Sequence, residues 1–506
     1  MEEEIIVLKT IINANSVILY WDLPENYEKG DIYEISLSGK VLLKTEKCHC
    51  EIKNLSPENE YCFSVCMVNK LQERTSVGKT TVNTLKEKRK LDITKEPYFA
   101  VGDGKTVNTT AIQKAINDCS ENDCVYIPQG DFMTGSLYLH SDMELYIEKG
   151  GTLHGTDTVT DYEPKIMSRF EGTEMMTYAA LLNIGELDRN RIYETCQNIK
   201  ICGGGTICGG GRPLAVNVVE IEKVLMKDYM DSLGDKIKEC ETDITIPGRV
   251  RPRLINISCA KNIVISDVTL MNGASWNVHM IYSKDIVTCL SVFRSENVWN
   301  GDGWDPDSSS NCTLFGCEFF TGDDSVAIKS GKNPEGNIID IPCEDIRVFD
   351  CISHLGHGIA LGSEMSGGIK NVKIWNCDIA NSIYGIHIKG TEKRGGYIKN
   401  ISARYVKTSR IQIHSVEYND DGESSGVAPV FSDCEFENIN ITGRCQRNDT
   451  FVDCDAITIE GFNKPEHYVK NFKFKNIIID SNGNSRKQAI LMQRCDGISF
   501  ENICCK

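Results

Sequence analysis

The sequence predicts an all-β protein in which a parallel β-helix follows a small β-sandwich. Short alternating strands with turn residues between them fill the first part of the chain, and a unit of Asn or Asp plus a short strand recurs from about residue 195. The charged stretch 86–92 separates the two patterns, and Gly, Asn, Asp, Ile and Val become frequent after it. We therefore predict a sandwich at 1–88, a linker at 89–96 and a β-helix at 97–506.

The predicted sandwich has strands at 16–21, 32–37 and 61–65. Trp21 on an early strand, together with Leu55 and Tyr61 at a corner between the sheets, resembles the fibronectin type III domain. Aromatic residues in such a module belong to the core far more often than they bind ligands. We expect this domain to act as a spacer or docking module.

The second domain repeats a unit in which an Asn or Asp precedes a strand. One coil cannot bury its inward side chains alone, so coils must stack, with Ile, Val and Cys inside and Asn amides forming ladders. A helical pattern at 110–117 predicts a cap on the first coil, and another at 218–233 predicts an insertion that walls off one end of a cleft. The repeats begin at Asn198, Asn262, Asp285, Asp345, Asn371, Asn400 and Asn471.

The charge balance restricts the possible partners. The chain carries 55 basic and 72 acidic residues, a net charge of −17, which repels nucleic acid and anionic membranes. No stretch approaches the roughly 20 apolar residues that span a bilayer. The acidic start of the sequence lacks the basic segment of a signal peptide, and we expect a cytoplasmic protein.

Cysteine usage points to the same compartment. The 23 cysteines are an odd number scattered through a long chain, unlike the framework of a small secreted protein. They lack the paired spacing of a zinc site. We expect reduced, buried thiols, no metal ion and no cofactor.

Acidic residues are densest in two groups, one with Asp302, Asp305 and Asp307 and the other with Asp323 and Asp324. Asp302 and Asp323 are 21 residues apart, about one coil of a β-helix, so the groups are expected on adjacent coils roughly 4.8 Å apart. Crowded carboxylates raise at least one pKa and leave a protonated acid beside an ionised base, as glycoside hydrolysis requires. A calcium site or solvated turn acids are the alternatives.

Four motifs in order resemble the polygalacturonases of glycoside hydrolase family 28. They are Asn300 to Asp302, Gly322 to Asp324, Gly356 to Gly358, and Ile388 with Lys389. The resemblance covers residues 97–506. It implies a right-handed parallel β-helix that hydrolyses with inversion and requires no metal.

The resemblance also implies roles for individual residues. Asp323 corresponds to the general acid, Asp302 and Asp324 to the pair that activates water, and His357 to a neighbour that tunes their protonation. Lys389 corresponds to the cation that holds the substrate carboxylate. We also expect Asn300 and Lys329 to contact the substrate.

The sequence departs from the family where Arg-x-Lys is usual, because His387 precedes Lys389. The titratable imidazole of His387 thus stands where the family has a permanently charged guanidinium. We hypothesise that the imidazolium of His387 pairs with a substrate carboxylate. Gly301 stands where Thr is common, and little chemical effect is expected.

Together these observations predict an inverting hydrolase of α-1,4-galacturonosidic bonds in oligogalacturonides. The insertion between Lys329 and His357 and the segment 362–368 resemble the bacterial exo-acting branch. One alternative is a family member acting on rhamnogalacturonan or a substituted galacturonan, which would explain His387. A calcium-dependent pectate lyase and a non-catalytic carbohydrate-binding β-helix are further alternatives. The sequence does not predict the oligomeric state.

Overall fold

The computed structural model describes residues 7–240, 242–416, 422–447, 450–480 and 488–506. The chain forms two compact units, Met1–Arg89 and Lys90–Lys506. The structure differs from the predicted linker at 89–96, because Arg89–Asp92 is a strand that pairs with Asp123–Ile127. The charged pattern there is misleading, since the ammonium of Lys90 lies 4.0 Å from the centre of the Tyr126 ring.

The first unit consists of two small antiparallel sheets. Trp21 and Tyr33 pack edge to face in its core, with ring centroids 5.1 Å apart. The hydroxyl of Tyr61 accepts a hydrogen bond from the backbone N–H of Ser56 at 2.9 Å, close to the predicted corner. The strands are Lys9–Ile12, Ser16–Tyr20 and His49–Lys53 in one sheet, and Ile32–Leu37, Lys40–Thr45, Glu60–Val68 and Arg74–Asn83 in the other.

The second unit is a right-handed parallel β-helix, as predicted, with three stacks of parallel strands. Stack one contains Asp123–Ile127, Met143–Ile147, Cys196–Cys202, Ala260–Ser266, Lys284–Cys289, Ser310–Phe315, Cys343–Phe349, Ile369–Trp375, Tyr397–Arg404, Val430–Ile441, Val469–Ile479 and Ser499–Cys505. Arg89–Asp92 and Cys495–Asp496 pair at its ends.

Stack two merges with stack one at Val430–Ile441. It contains Asp103–Val107, Gly130–Thr134, Gly151–Gly155, Thr206–Cys208, Thr269–Met271, Val292–Arg294, Glu318–Phe320, Ile352–Leu355, Asp378–Ile379 and Lys407–Thr408. Stack three contains Leu137–Leu139, Leu182–Ile184, Ile255–Ser258, Val278–Ile281, Trp304–Asp307, Val326–Ile328, Gly358–Leu361, Gly385–Gly390, Ile411–Ser415, Ile457–Glu460 and Ile490–Gln493.

The predicted Asn ladders are present. The Asn residue that begins many repeats has a left-handed backbone, with φ 59° at Asn198 and 57° at Asn262, which Asn tolerates better than most residues. The Asn262 side-chain amide donates to the side-chain oxygen of Asn198 at 2.6 Å, one coil away. Asn371 donates to Asp345 at 3.1 Å in the same way. These bonds hold successive turns in register.

The interior of the β-helix is filled by aliphatic, aromatic and cysteine side chains. Inside this core, Phe293 stacks on Phe319 of the next coil with ring centroids 4.7 Å apart, and Phe436 stacks on Phe474 at 5.0 Å. Cys351 and Cys377 are buried, and each thiol donates to the backbone carbonyl two residues earlier. All 23 cysteines are free thiols in the structure.

Helices occur at the first coil and in insertions between strands. The predicted cap is the helix Thr109–Asn117, which buries Ile112, Ala115 and Ile116. The predicted helical insertion is present as Gly211–Leu225 and Lys227–Leu233. In the described residues, no helix is long and apolar enough to cross a membrane. The remaining elements are the helices Thr245–Gly248 and Glu335–Ile339, the 3₁₀ turns Val159–Tyr162, Gly234–Glu239 and Pro465–His467, and the hairpins Ile166–Phe170 with Thr173–Thr177 and Arg444–Arg447 with Thr450–Asp453.

Candidate active site

Stack three supplies the candidate site. Neighbouring parallel strands lie about 4.8 Å apart, so residues at equivalent positions of successive coils meet on one face. The turns before the strands carry Asp302, Asp323, Asp324 and His357, whereas Lys329 and Glu364 follow strands and Lys389 lies within one. The predicted acids from two coils are therefore brought together, along with cations from three.

Asp323 and His357 form an ion pair that we call the outer pair. Nδ1 of His357 lies 2.9 Å from Oδ1 of Asp323, and both side chains are about one quarter exposed. Burial alone lowers the pKa of His357, but the charge of Asp323 and the hydrogen bond to it raise that pKa to about 9. Burial raises the pKa of Asp323, but the charge of His357 outweighs it and lowers that pKa below its usual range.

The position of His357 requires the glycine before it. Gly356 has φ 130°, and a Cβ there would lie 2.2 Å from Oγ1 of Thr321 and 2.9 Å from the carbonyl oxygen of Asp323. The backbone N–H of His357 donates to that carbonyl at 2.9 Å. Close backbone approach thus fixes the outer pair.

Asp302 and Asp305, which we call the inner acids, are buried below the outer pair. Burial, followed by the charges of Asp305 and Asp323, raises the pKa of Asp302 well above its usual range. Burial also raises the pKa of Asp305 well above its usual range, and Lys329 offsets only part of this effect. Neither carboxyl oxygen of Asp305 has a hydrogen-bond partner among the described residues. Burial therefore favours the protonated form of the inner acids, whereas Asp323 of the outer pair is ionised beside a protonated His357.

Lys329 joins Asp302 to Glu364. Its Nζ lies 3.4 Å from Oδ2 of Asp302 and 3.4 Å from Oε2 of Glu364, and 4.5 Å from the centre of the Trp276 ring. Burial raises the pKa of Glu364, but Lys329 and then Arg394 lower it below its usual value. One ammonium group is thus shared by two buried carboxyl groups.

Lys389 contacts the acids directly, with its Nζ 3.2 Å from Oδ2 of Asp324. Ligand atoms of Asp323, Asp324 and His357 lie within 4.8 Å of one another, so these three side chains are close enough to hold a metal ion. The ammonium of Lys389 already supplies positive charge to this group. With Lys389 beside them, these three side chains could bind a substrate as well as a metal ion.

The structure opposes a charged His387. Its side chain is 2% exposed, and its Nε2 lies 2.8 Å from Nε2 of His414 in a stacked pair of rings. Burial, followed by the charges of Lys389 and His414, lowers the pKa of His387 well below 6.5. Burial lowers the pKa of His414 to about 4. Burial and the contact with the half-buried His414 ring disfavour the hypothesis that an imidazolium at His387 pairs with a substrate carboxylate, which stays a prediction.

Asn300 lies beside the inner acids and is held by a buried arginine. Its side-chain oxygen accepts a hydrogen bond from Nη2 of Arg251 at 2.7 Å. Burial lowers the pKa of Arg251 to about 10. The structure therefore gives Asn300 a protein partner, and its predicted contact with substrate stays a prediction.

Asp307, from the same motif as the inner acids, belongs to a separate buried network. Nη1 of Arg169 donates to its Oδ1 at 2.7 Å, and the His279 ring contacts its Oδ2 at 3.3 Å. Burial raises the pKa of Asp307, but Arg169 outweighs it and lowers that pKa to about 2. Asp307 anchors the hairpin Ile166–Phe170 to the strand that carries Asp305.

Sequence reasoning missed several residues of the site. Glu364 lies in the segment 362–368 that was noted for its resemblance to exo-acting relatives, but a single Glu among glycines and serines carries no catalytic pattern. Tyr384 lies beside the outer pair, with its ring centroid 5.1 Å from that of His357. Arg410 lies one coil further on, over the Tyr384 ring at 4.9 Å. Only the stacking of coils reveals these neighbours.

Loops and the helical insertion cover the end of the site where stack-three strands finish. Lys393 from the loop after Gly385–Gly390 forms an ion pair with Glu239 of the insertion at 3.1 Å. Nδ2 of Asn333 donates to the carbonyl of Glu423 at 2.6 Å. Asp323 and His357 are about one quarter exposed, whereas Asp302, Asp324, Lys329, Glu364 and Lys389 are all under one tenth exposed.

Together the β-helix, the crowded carboxylates and the buried cations define a glycoside hydrolase of the β-helical class. The family model of glycosyl hydrolases family 28 matches residues 143–466, and the chain belongs to this family. The exo-poly-alpha-D-galacturonosidase of Dickeya chrysanthemi is 25% identical, over 97% of this chain and 88% of the relative. A probable polygalacturonase of Vitis vinifera is 33% identical over 61% of this chain and 58% of the relative.

Solved structures show the same fold. The family 28 exopolygalacturonase of Yersinia enterocolitica aligns with a TM-score of 0.81 at 21% identity, covering 98% of this chain and 95% of the other. The hyperthermoactive exopolygalacturonase of Thermotoga maritima aligns with a TM-score of 0.67 at 25% identity, covering 83% and 92%. These alignments confirm the predicted β-helix.

Proposed function

We propose that this protein releases galacturonate units from one end of oligogalacturonides by inverting hydrolysis. The observation that carries the proposal is the ion pair at 3.1 Å between Lys393 and Glu239 of the helical insertion, beside buried inner acids and a buried Lys329. We infer that the insertion closes one end of the groove and leaves a pocket whose open side is the outer pair. A pocket accepts a chain end, whereas an interior bond of a polymer requires a cleft open at both ends. The names of the exo-acting relatives support the same conclusion.

Asp323 is the proposed general acid, which protonates the leaving oxygen. The charge of His357 outweighs burial, lowers the pKa of Asp323 and favours its ionised form. The protons of such a cluster belong to all of its carboxyl groups together. A substrate carboxylate adds negative charge near His357 and Lys389, which raises the pKa of every neighbouring acid. Asp323 thus gains its proton from the inner acids or solvent when the substrate binds.

Asp302 and Asp324 are the proposed pair that activates water. Lys329 contacts Asp302 and Lys389 contacts Asp324. Burial keeps the pKa of Asp302 raised, so Asp302 acts as a base only after its proton has passed to Asp323. The activated water attacks the anomeric carbon from the face opposite the leaving group while Asp323 protonates the glycosidic oxygen. One bond forms as the other breaks, so the configuration inverts.

The test is digestion of defined oligogalacturonides of two to six units, with products identified over time. We expect galacturonate, or one short unit, as the product from the first time point. An immediate spread of intermediate lengths would refute exo-action. The appearance of unsaturated ends, seen by their ultraviolet absorbance, would indicate a lyase and refute hydrolysis.

A second candidate is a family member that acts on rhamnogalacturonan or a substituted galacturonan. The observation in its favour is the uncharged pair of His387 and His414. Rhamnogalacturonan fragments in the same digestion panel separate the two candidates. Faster turnover of those fragments than of oligogalacturonides would favour the second.

We further propose that the first unit is a fibronectin type III-like spacer and that the protein works in a reducing cytoplasm. The bond from Ser56 to Tyr61 and the free thiols support these proposals. A cytoplasmic enzyme would act on imported oligosaccharides. Mass measurement after alkylation of the unfolded, unreduced protein is the test, and several protected disulfides would contradict the assignment.

A further inference from the structure

Arg410 differs from the other cations near the acids. Lys329 and Lys389 each contact carboxyl groups of the site. Arg410 is 8% exposed, and no carboxylate of the residues that the structure describes forms an ion pair with it. Its Nε donates to the backbone carbonyl of Ile383 at 2.9 Å, which orients the side chain. A nearly buried cation without an anionic partner is costly, and an anionic ligand relieves that cost.

The guanidinium of Arg410 is connected to the outer pair by one aromatic ring. It lies 4.9 Å from the centre of Tyr384, and the Tyr384 ring meets the edge of His357 at 5.1 Å. Tyr384 is partly exposed, so one part of its ring is available to a sugar. The cation and the ring therefore belong to one subsite next to the acids.

His387 completes this subsite as a neutral group. Its ring centroid lies 4.7 Å from that of Tyr384, and its Nδ1 is buried without a hydrogen-bond partner among the described residues. Oε1 of Gln412, on the neighbouring strand opposite His387, is likewise buried without a partner. Sugar hydroxyl groups match these unpaired polar atoms, and a carboxylate matches Arg410.

We propose that Arg410 holds the carboxylate of the galacturonate beside the acids, on a subsite whose platform is Tyr384. Arg410, on the next coil, supplies the positive charge that the neutral His387 does not provide. A guanidinium holds a carboxylate through two parallel hydrogen bonds and stays charged at every relevant pH. This inference rests on the proposed function, because it names the group that recognises its substrate.

The experiment measures binding of digalacturonate and of its dimethyl ester by calorimetry. The full chain carries Asp323→Asn, to prevent turnover, either alone or with Arg410→Gln. We expect Arg410→Gln to weaken binding of the acid by about 10- to 100-fold and binding of the ester by less than about threefold. Arg404→Gln is the matched control, because Arg404 lies on the same coil but in stack one, paired with Glu437 at 3.2 Å.

Equal loss for acid and ester, or no loss for either, would overturn the assignment of Arg410. A melting temperature like that of the control excludes unfolding as the cause, and Arg410→Lys offers a second variant that keeps the charge. We expect Arg410→Lys to retain part of the preference for the acid. If the wild-type protein fails to hydrolyse oligogalacturonides yet shows this preference, the proposed function fails while the Arg410 subsite stands. If the wild-type protein hydrolyses oligogalacturonides but binding does not depend on Arg410, the proposed function stands and the Arg410 subsite fails.

Discussion

The inner acids and the outer pair lie on neighbouring coils, yet they hold protons differently. Asp302 is buried and shares Lys329 with Glu364, and its pKa is raised. Asp323 is one quarter exposed and lies 2.9 Å from Nδ1 of His357, and its pKa is lowered. The cations close to each aspartate, and not the residue type, therefore decide which aspartate is ionised. At Asp302, whose ammonium partner is 3.4 Å away, burial dominates, whereas at Asp323, whose imidazolium partner is 2.9 Å away, pairing dominates.

The largest effect is expected from removing the outer acid. Asp323→Asn should lower kcat by about a hundredfold or more, because the leaving oxygen no longer receives a proton. The melting temperature should fall, since the ion pair with His357 is lost, but the protein should stay folded at the assay temperature. Asp345→Asn is the control, because its side-chain oxygen accepts from Asn371 in a ladder away from the site. Normal turnover of a folded Asp323→Asn protein would rule out its role.

Removing the shared cation tests the inner acids. We expect Lys329→Met to lower the free energy of unfolding by about 3 kcal/mol at neutral pH, since it removes the ammonium group that Asp302 and Glu364 share. The loss should shrink as pH falls, because those carboxyl groups take up protons. Lys370→Met is the control, since its partner Glu344 is partly exposed, and a change under about 1 kcal/mol is expected there. Urea unfolding at two pH values measures the free energy of unfolding of both variants. Equal losses for Lys329→Met and Lys370→Met would contradict the role of Lys329 in stabilising the buried carboxyl groups.

For the outer pair we expect the opposite pH dependence, because its contribution to stability is lost as pH rises. His357 has a pKa of about 9 in the folded protein against about 6.5 unfolded. Its stabilisation is complete below the unfolded value and is lost as pH rises through about 9, by up to about 3 kcal/mol. In His357→Gln this alkaline loss should be absent. Parallel stability curves for the two proteins between pH 6 and pH 10 would show that the pair is not ionic.

The smallest effect is expected at His387. Because its ring is buried and uncharged, His387→Gln should change KM for trigalacturonate by less than about threefold between pH 5 and pH 8. The wild-type and variant curves of KM against pH should run parallel. If the wild-type KM rises with pH while the KM of the variant stays constant, His387 is charged and pairs with the substrate carboxylate.

The sequence predicted the fold because the repeat is explicit. A left-handed Asx residue and alternating inward side chains, as at Asn198 and Asn262, encode one coil each. Motif spacing also predicted that Asp302 and Asp323 would lie on adjacent coils, and the family resemblance placed His357 beside them. Protonation was not predictable, because it depends on burial and on which coil supplies each cation. Arg410 and Glu364 were missed for the same reason, since they reach the site from coils or loops that contain none of the motifs.

The anomeric configuration of the first product tests the central claim most directly, namely that these acids activate water for inverting hydrolysis. Proton NMR during the first turnovers of trigalacturonate would record it before the anomers equilibrate. From an α-linked substrate we expect the β-anomer, because water attacks opposite the leaving oxygen. Initial release of the α-anomer would show a covalent intermediate and contradict the roles of Asp302 and Asp324.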